Sequence, residues 1–212
     1  MIEFAEPTVV KHLNFSYNPL GNATFSKIKR LIENSKSLEQ LVLDNVQLSH
    51  KALRQLSKGL CKNETMQHLS LSGNNIDDMG AMPLSKIIRD NNALTQLNLH
   101  YNSIGSFGGS LIFQALAENV GLLELDLSWN SMSSHMELES SADAISEAFS
   151  VNKTLKHIDL SYNRFSVKEC ELIAEGLTSN HHLLGIHLEG NKATYNFRGY
   201  MEMNNDLQLN YE

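Results

Sequence analysis

The chain has 212 residues, 17 basic against 24 acidic, and a formal net charge of −7. At 42% apolar and 19% charged it has a globular rather than a disordered composition, and the acidic balance argues against a nucleic-acid binder. No apolar run approaches the roughly 20 residues that span a bilayer, residues 1–7 carry no secretory signal, and Cys61 and Cys170 cannot build a disulfide framework. The expectation is a cytoplasmic chain without membrane contact.

In chain order, one pattern recurs: L-x-x-L-x-L-x-x-N-x-L. It begins at Val10, Leu13, Phe15, Asn18, Leu20, and returns as Leu38, Leu41, Leu43, Leu48, with Val46 in the asparagine position. Met66, Leu69, Leu71, Asn74, Ile76 follow, then Leu94, Leu97, Leu99, Asn102, Ile104, then Leu122, Leu125, Leu127, Asn130, Met132. The last copies are Leu155, Ile158, Leu160, Asn163, Phe165 and Leu183, Ile186, Leu188, Asn191, Ala193. The starts at 10, 38, 66, 94, 122, 155 and 183 are 28 residues apart except for one interval of 33.

The L-x-L core puts two apolar side chains on one face of a short strand. After each strand the apolar period becomes helical, as in Phe25, Ile28, Leu31, Ile32 and in Leu84, Ile87, Ile88. Pro83 is expected in the first turn of its helix. Such a unit cannot bury its apolar faces alone, so neighbours must stack. The pattern asparagines are expected to bond turn backbone. A second set, Asn63, Asn91, Asn119, Asn152 and Asn180, stands three residues before each next copy, where asparagine's tolerance of left-handed geometry suits a helix end. The sequons at Asn14, Asn22, Asn63 and Asn152 read as by-products of the repeat.

The motif, the strand–helix unit and its 28-residue length resemble the ribonuclease-inhibitor-like class of leucine-rich repeats over residues 10–193. Ile76-Asp77-Asp78-Met79-Gly80 is similar to that class's passage into its helix. The resemblance implies an α/β solenoid, a horseshoe of seven strand–helix repeats with a parallel concave sheet and outer helices, as one domain over residues 1–212. Ribonuclease inhibitor itself is cysteine-rich with alternating repeats, and this chain is neither. The final copy, Gly185-Ile186-His187-Leu188-Glu189-Gly190-Asn191, resembles the closing repeat of protist and ciliary members.

Two places break the repeat. The fifth copy carries five extra residues within 130–150, read as either a tolerated loop or a contact on one rim. At the ends, residues 3–9 would form a minimal cap or mark part of a larger chain. Tyr195, Phe197, Tyr200 and Met201 are expected to cover the last open edge, before a polar tail at 204–212.

Residues between the buried leucines face the concave side, in columns about 5 Å apart. The column before the pattern asparagine reads Tyr17, Asn45, Gly73, Tyr101, Trp129, Tyr162, Gly190. Tyr101, Trp129 and Tyr162 fall in consecutive copies and are candidate partner anchors, or rings that merely stabilise their neighbours. The central column ends in Asp126, Asp159 and His187, flanked by Glu124, His157 and Glu189. These carboxylates suit a partner's Lys or Arg, or else are simply solvated. No metal or catalytic motif organises them, no nucleotide loop is present, and Cys61 and Cys170 read as inert.

The expected function is therefore a non-enzymatic protein-interaction module, without cofactor or metal. Its protein partner would carry a basic contact patch and be held on the concave face. Two other roles suit the same fold. One is regulation of a small GTPase, resembling Ran GTPase-activating proteins; the other is a structural place in a large ciliary or cytoskeletal assembly. Charge is polarised along the chain: residues 1–106 hold 11 basic and 9 acidic groups, and residues 107–212 hold 6 and 15.

Overall fold

The computed structural model describes residues 9–133, 140–195 and 201–203. Strands and helices alternate: β1 (His12–Asn14), α1 (Asn22–Asn34), β2 (Gln40–Val42), α2 (His50–Leu60), β3 (His68–Ser70), α3 (Asp78–Asp90), β4 (Gln96–Asn98) and α4 (Ser106–Glu118). Next come β5 (Glu124–Asp126), α5 (Ser141–Val151), β6 (His157–Asp159), α6 (Val167–Leu177) and β7 (Gly185–His187). The seven strands form one parallel sheet in sequence order. Each pairs with the next in the repeat's own register, so Leu13, Leu41, Leu69, Leu97, Leu125, Ile158 and Ile186 align. This is the leucine-rich-repeat solenoid.

The core lies between sheet and helices. The three leucines of each pattern meet the inward face of the following helix, as Leu94, Leu97 and Leu99 join Ile112, Ala115 and Leu116 in one apolar cluster. Successive helices pack side by side, so each repeat buries what its neighbour exposes.

Two asparagine ladders tie the repeats together. Asn102 is buried; its Oδ1 accepts from the backbone N–H groups of Asn74 and Ile76, and its Nδ2 donates to the carbonyls of Leu71 and Leu99. Asn74, Asn130, Asn163 and Asn191 repeat this role, as expected of buried amides. In the second ladder Asn91 donates to the carbonyls of Leu60 and Asn63 and accepts from the N–H groups of Ala93 and Leu94. Here the expectation of left-handed geometry fails: Asn91, Asn119 and Asn152 have φ of −111°, −73° and −71°. They are selected for the side-chain ladder, not for backbone tolerance.

One further expectation changes. Pro83 sits inside α3, not in its first turn, because the Asp77 side chain accepts from the Gly80 N–H and starts the helix at Asp78. Asp78 then reaches forward to the next repeat, accepting from the N–H groups of Gly105 and Gly108 at the start of α4. At the carboxyl end, β8 (Ala193–Tyr195) and β9 (Met201–Met203) pair antiparallel as a separate two-stranded sheet, with β9 beside α6. Among the described residues this hairpin does not extend the sheet beyond β7; Phe197, Tyr200, and the expected cap and tail at 3–8 and 204–212 lie outside them.

The insertion is tethered at both ends, while residues 134–139 lie outside the described residues. Buried Glu169 in α6 accepts from the hydroxyls of Ser133 and Ser140 and from the N–H and hydroxyl of Ser166. One carboxylate thus joins the inserted segment's flanks to the capping box of the following helix.

Candidate interaction surface

Parallel pairing places the candidate residues in rows across the sheet. Asn14, Val42, Ser70, Asn98, Asp126, Asp159 and His187 form one row, and Glu124 is level with His157 in another. From Val42 onward these rows line an open depression of about 390 Å³ on the concave face. Its amino-terminal side is polar and without carboxylates, with Gln40, His68, Ser70 and Gln96, and its carboxyl-terminal side carries Glu124, Asp126 and Asp159.

The carboxylates are held by the repeat itself. Asp126 accepts from the N–H and hydroxyl of Ser128, and Asp159 accepts from the N–H of Ser161. Among the described residues, Glu124, Asp126 and Asp159 have no ion pair. At the end of the row, His157 Nε2 lies 2.8 Å from His187 Nε2, and His187 Nδ1 lies 3.8 Å from Glu189. Burial pushes the Glu189 carboxyl up, but its own backbone N–H, the Ser161 hydroxyl and His187 outweigh this and hold it below the usual carboxylate range.

The three rings lie beyond the strands' carboxyl ends, beside the depression. Tyr101 and Trp129 have centroids 6.3 Å apart, and Trp129 stacks on Tyr162 at 4.3 Å. They are 60%, 45% and 38% exposed. Their backbone is unusual: φ is 51°, 54° and 55°, in the left-handed region. The rest of this column is also at positive φ: Tyr17 in the first repeat, and Asn45, Gly73 and Gly190, the last three being residue types that adopt it cheaply. An aromatic there costs about 1 kcal/mol. Ring contacts offset part of this, yet the faces remain open to a partner.

All nine candidate residues therefore fall on one side of the solenoid, in two adjoining strips. His68, Gln96 and His100 were missed. Gln96 Oε1 accepts from His68 Nδ1 across the sheet, and His100 bonds Ser128 beside Asp126; the repeat places these residues, but their bonding depends on side-chain geometry. Cys170 is buried, and burial pushes its thiol up to about 12. Burial also raises Cys61, so neither has thiolate character.

The TMOD/LMOD leucine-rich domain model matches residues 22–142, and a leucine-rich-repeat model matches residues 151–168. No curated protein matches the chain. Among solved structures, the tropomodulin C-terminal domain of Caenorhabditis elegans is 18% identical, covering 76% of this chain and 94% of that one, with a TM-score of 0.61. Leiomodin-1 actin-binding site 2 is 22% identical over 74% and 88%, with a TM-score of 0.60. The leucine-rich-repeat protein LegL7 of Legionella pneumophila is 16% identical over 93% and 59%, with a TM-score of 0.53. At these identities the likenesses establish the fold. With more than half of its length matched by the family model, the chain belongs to the TMOD/LMOD leucine-rich domain family.

Proposed function

We propose that this chain is a non-enzymatic protein-interaction module whose concave side holds an actin subunit, placing it with the actin cytoskeleton. The observation carrying the surface assignment is the ring stripe at left-handed positions beside Glu124, Asp126 and Asp159, which among the described residues lack an ion pair. Backbone cost at exposed rings makes sense where the rings meet a partner. The choice of actin rests on family membership and on leiomodin-1 actin-binding site 2 among the similar structures.

Tyr101, Trp129 and Tyr162 supply flat, rigid contact area at low side-chain entropy cost. Glu124, Asp126, Asp159 and Glu189 select a basic patch and orient it, with His157 and His187 closing the row. The test is co-sedimentation with filamentous actin and titration against monomeric actin. Trp129→Asn should weaken binding about thirtyfold, the loss of a hot spot. Absence of binding to either form of actin removes actin as the partner; binding that Trp129→Asn leaves intact removes the concave surface.

A further inference from the structure

The outer face carries a second surface, made by three helices rather than by the sheet. Helices α2, α3 and α4 begin at His50, Asp78 and Ser106, and the same offset runs through them. Their second residues, Lys51, Met79 and Phe107, therefore form a row across three neighbouring helices. One turn on, Arg54 stands level with Met82; a further turn on, Lys58 is level with Lys86 on α3 and Arg30 on α1.

These side chains face solvent. Met79, Met82 and Phe107 are 51%, 44% and 46% exposed, a contiguous apolar group on helices whose other apolar residues are mostly buried. Lys51, Arg54 and Lys58 are exposed at spacings of three and four, so the outward stripe of α2 is cationic along its length. Lys62 continues it and Arg30 and Lys27 flank it. Among the described residues none of these six has an ion pair; Lys29, Lys86 and Arg89 nearby do. In a chain of net charge −7, six neighbouring cations without an ion pair repel one another.

We propose that this face docks a short acidic amphipathic helix, its apolar side on Met79, Met82 and Phe107 and its carboxylates on Lys51, Arg54 and Lys58. The row crosses three helices spaced about 10 Å apart, a span of about 20 Å that a helix of some four turns covers. Apolar residues at i, i+3, i+4 and i+7 would match the methionine–phenylalanine group. Charge favours a short segment over an extended anionic membrane. A bilayer would also meet the exposed Asp90, Glu118, Asp143 and Glu147 along the same outer face, whereas a four-turn helix meets the cations with the carboxylates beside Met79 already engaged, Asp77 by His50 and Asp78 by the N–H groups of Gly105 and Gly108.

The test uses the full chain and a labelled 16-residue peptide of leucine and glutamate, with leucines at helical spacing, read by fluorescence anisotropy. The comparisons are a peptide of the same composition with its leucines dispersed, and phosphatidylserine vesicles. The helical-pattern peptide should bind and the dispersed one should bind about tenfold more weakly. Combined Lys51→Glu, Arg54→Glu and Lys58→Glu should weaken binding about tenfold. Met79→Ser with Met82→Ser should weaken it about threefold or more, and tests the site independently should the charge variant not fold. No binding by the helical-pattern peptide, equal binding of both peptides, or indifference to both variants overturns the proposal. So does capture by vesicles without capture of the peptide.

Discussion

The indole of Trp129 stacks on the ring of Tyr162 with planes 18° from parallel, and the Tyr162 ring lies against Gly190 of the next repeat. Two opposing effects meet here: left-handed backbone disfavours the aromatics, and stacking favours them. Trp129→Asn removes both, since Asn45 occupies the same column at φ 54°. Unfolding free energy from urea titration should therefore change by less than about 1 kcal/mol. A larger loss would mean the stripe serves stability more than binding.

Gly190→Ala acts in the opposite sense. Gly190 has φ 73°, and an added Cβ would clash with the Tyr162 ring. The ring must move or the backbone must shift, at a cost of about 1–3 kcal/mol. Because Trp129 is the chain's single tryptophan, its fluorescence spectrum should report the displaced stack. An unchanged spectrum and unchanged stability would contradict this packing.

Asn102→Ala should destabilise far more than Asn18→Ala. Removing the Asn102 side chain strands the backbone N–H groups of Asn74 and Ile76 in the core and leaves the Leu71 and Leu99 carbonyls to the Asn74 and Asn130 amides alone, at about 2–4 kcal/mol together. Asn18 donates to the carbonyls of Phe15 and Ser16 at an exposed end, where water replaces it for less than about 1 kcal/mol. Equal losses in chemical denaturation would show that the ladder does not bear on stability.

Glu169→Ala should cost about 1–3 kcal/mol, the loss of a buried acceptor that serves three hydroxyls and an N–H. Hydrogen exchange at Ser133, Ser140 and Ser166 should accelerate together, because one carboxylate joins them. Acceleration at Ser166 alone would reduce Glu169 to a local helix cap.

Acid should weaken the fold partly through Asp77. Burial pushes its carboxyl up, but the N–H groups of Gly80 and Met79 and the side chain of His50 outweigh this and hold it below its ordinary value of 3.8. A depressed folded value means that Asp77 contributes stability above the unfolded value, lost as pH falls through the folded one. Urea midpoints measured from about pH 5 down to 3 should fall less steeply in Asp77→Asn than in the parent chain. Parallel curves would exclude Asp77 from the acid response.

Much of this molecule follows from one-dimensional periodicity. A 28-residue spacing of leucines fixes strand, helix and stacking, since neither element can bury its apolar face except against the next copy. The same arithmetic places Asp126 beside Asp159 and Trp129 beside Tyr162, because parallel strands in constant register convert sequence columns into spatial rows. What periodicity does not carry is anything set by backbone sign or by contacts between different columns. The positive φ of the ring stripe, the forward reach of Asp78 to α4, the clamp of Glu169 on Ser133 and Ser140, and the helix-end asparagines' extended backbone depend on how turns close in three dimensions. The outer row of Lys51, Met79 and Phe107 is legible only after the helix starts are known, because the surface shared by three helices exists only once they are packed.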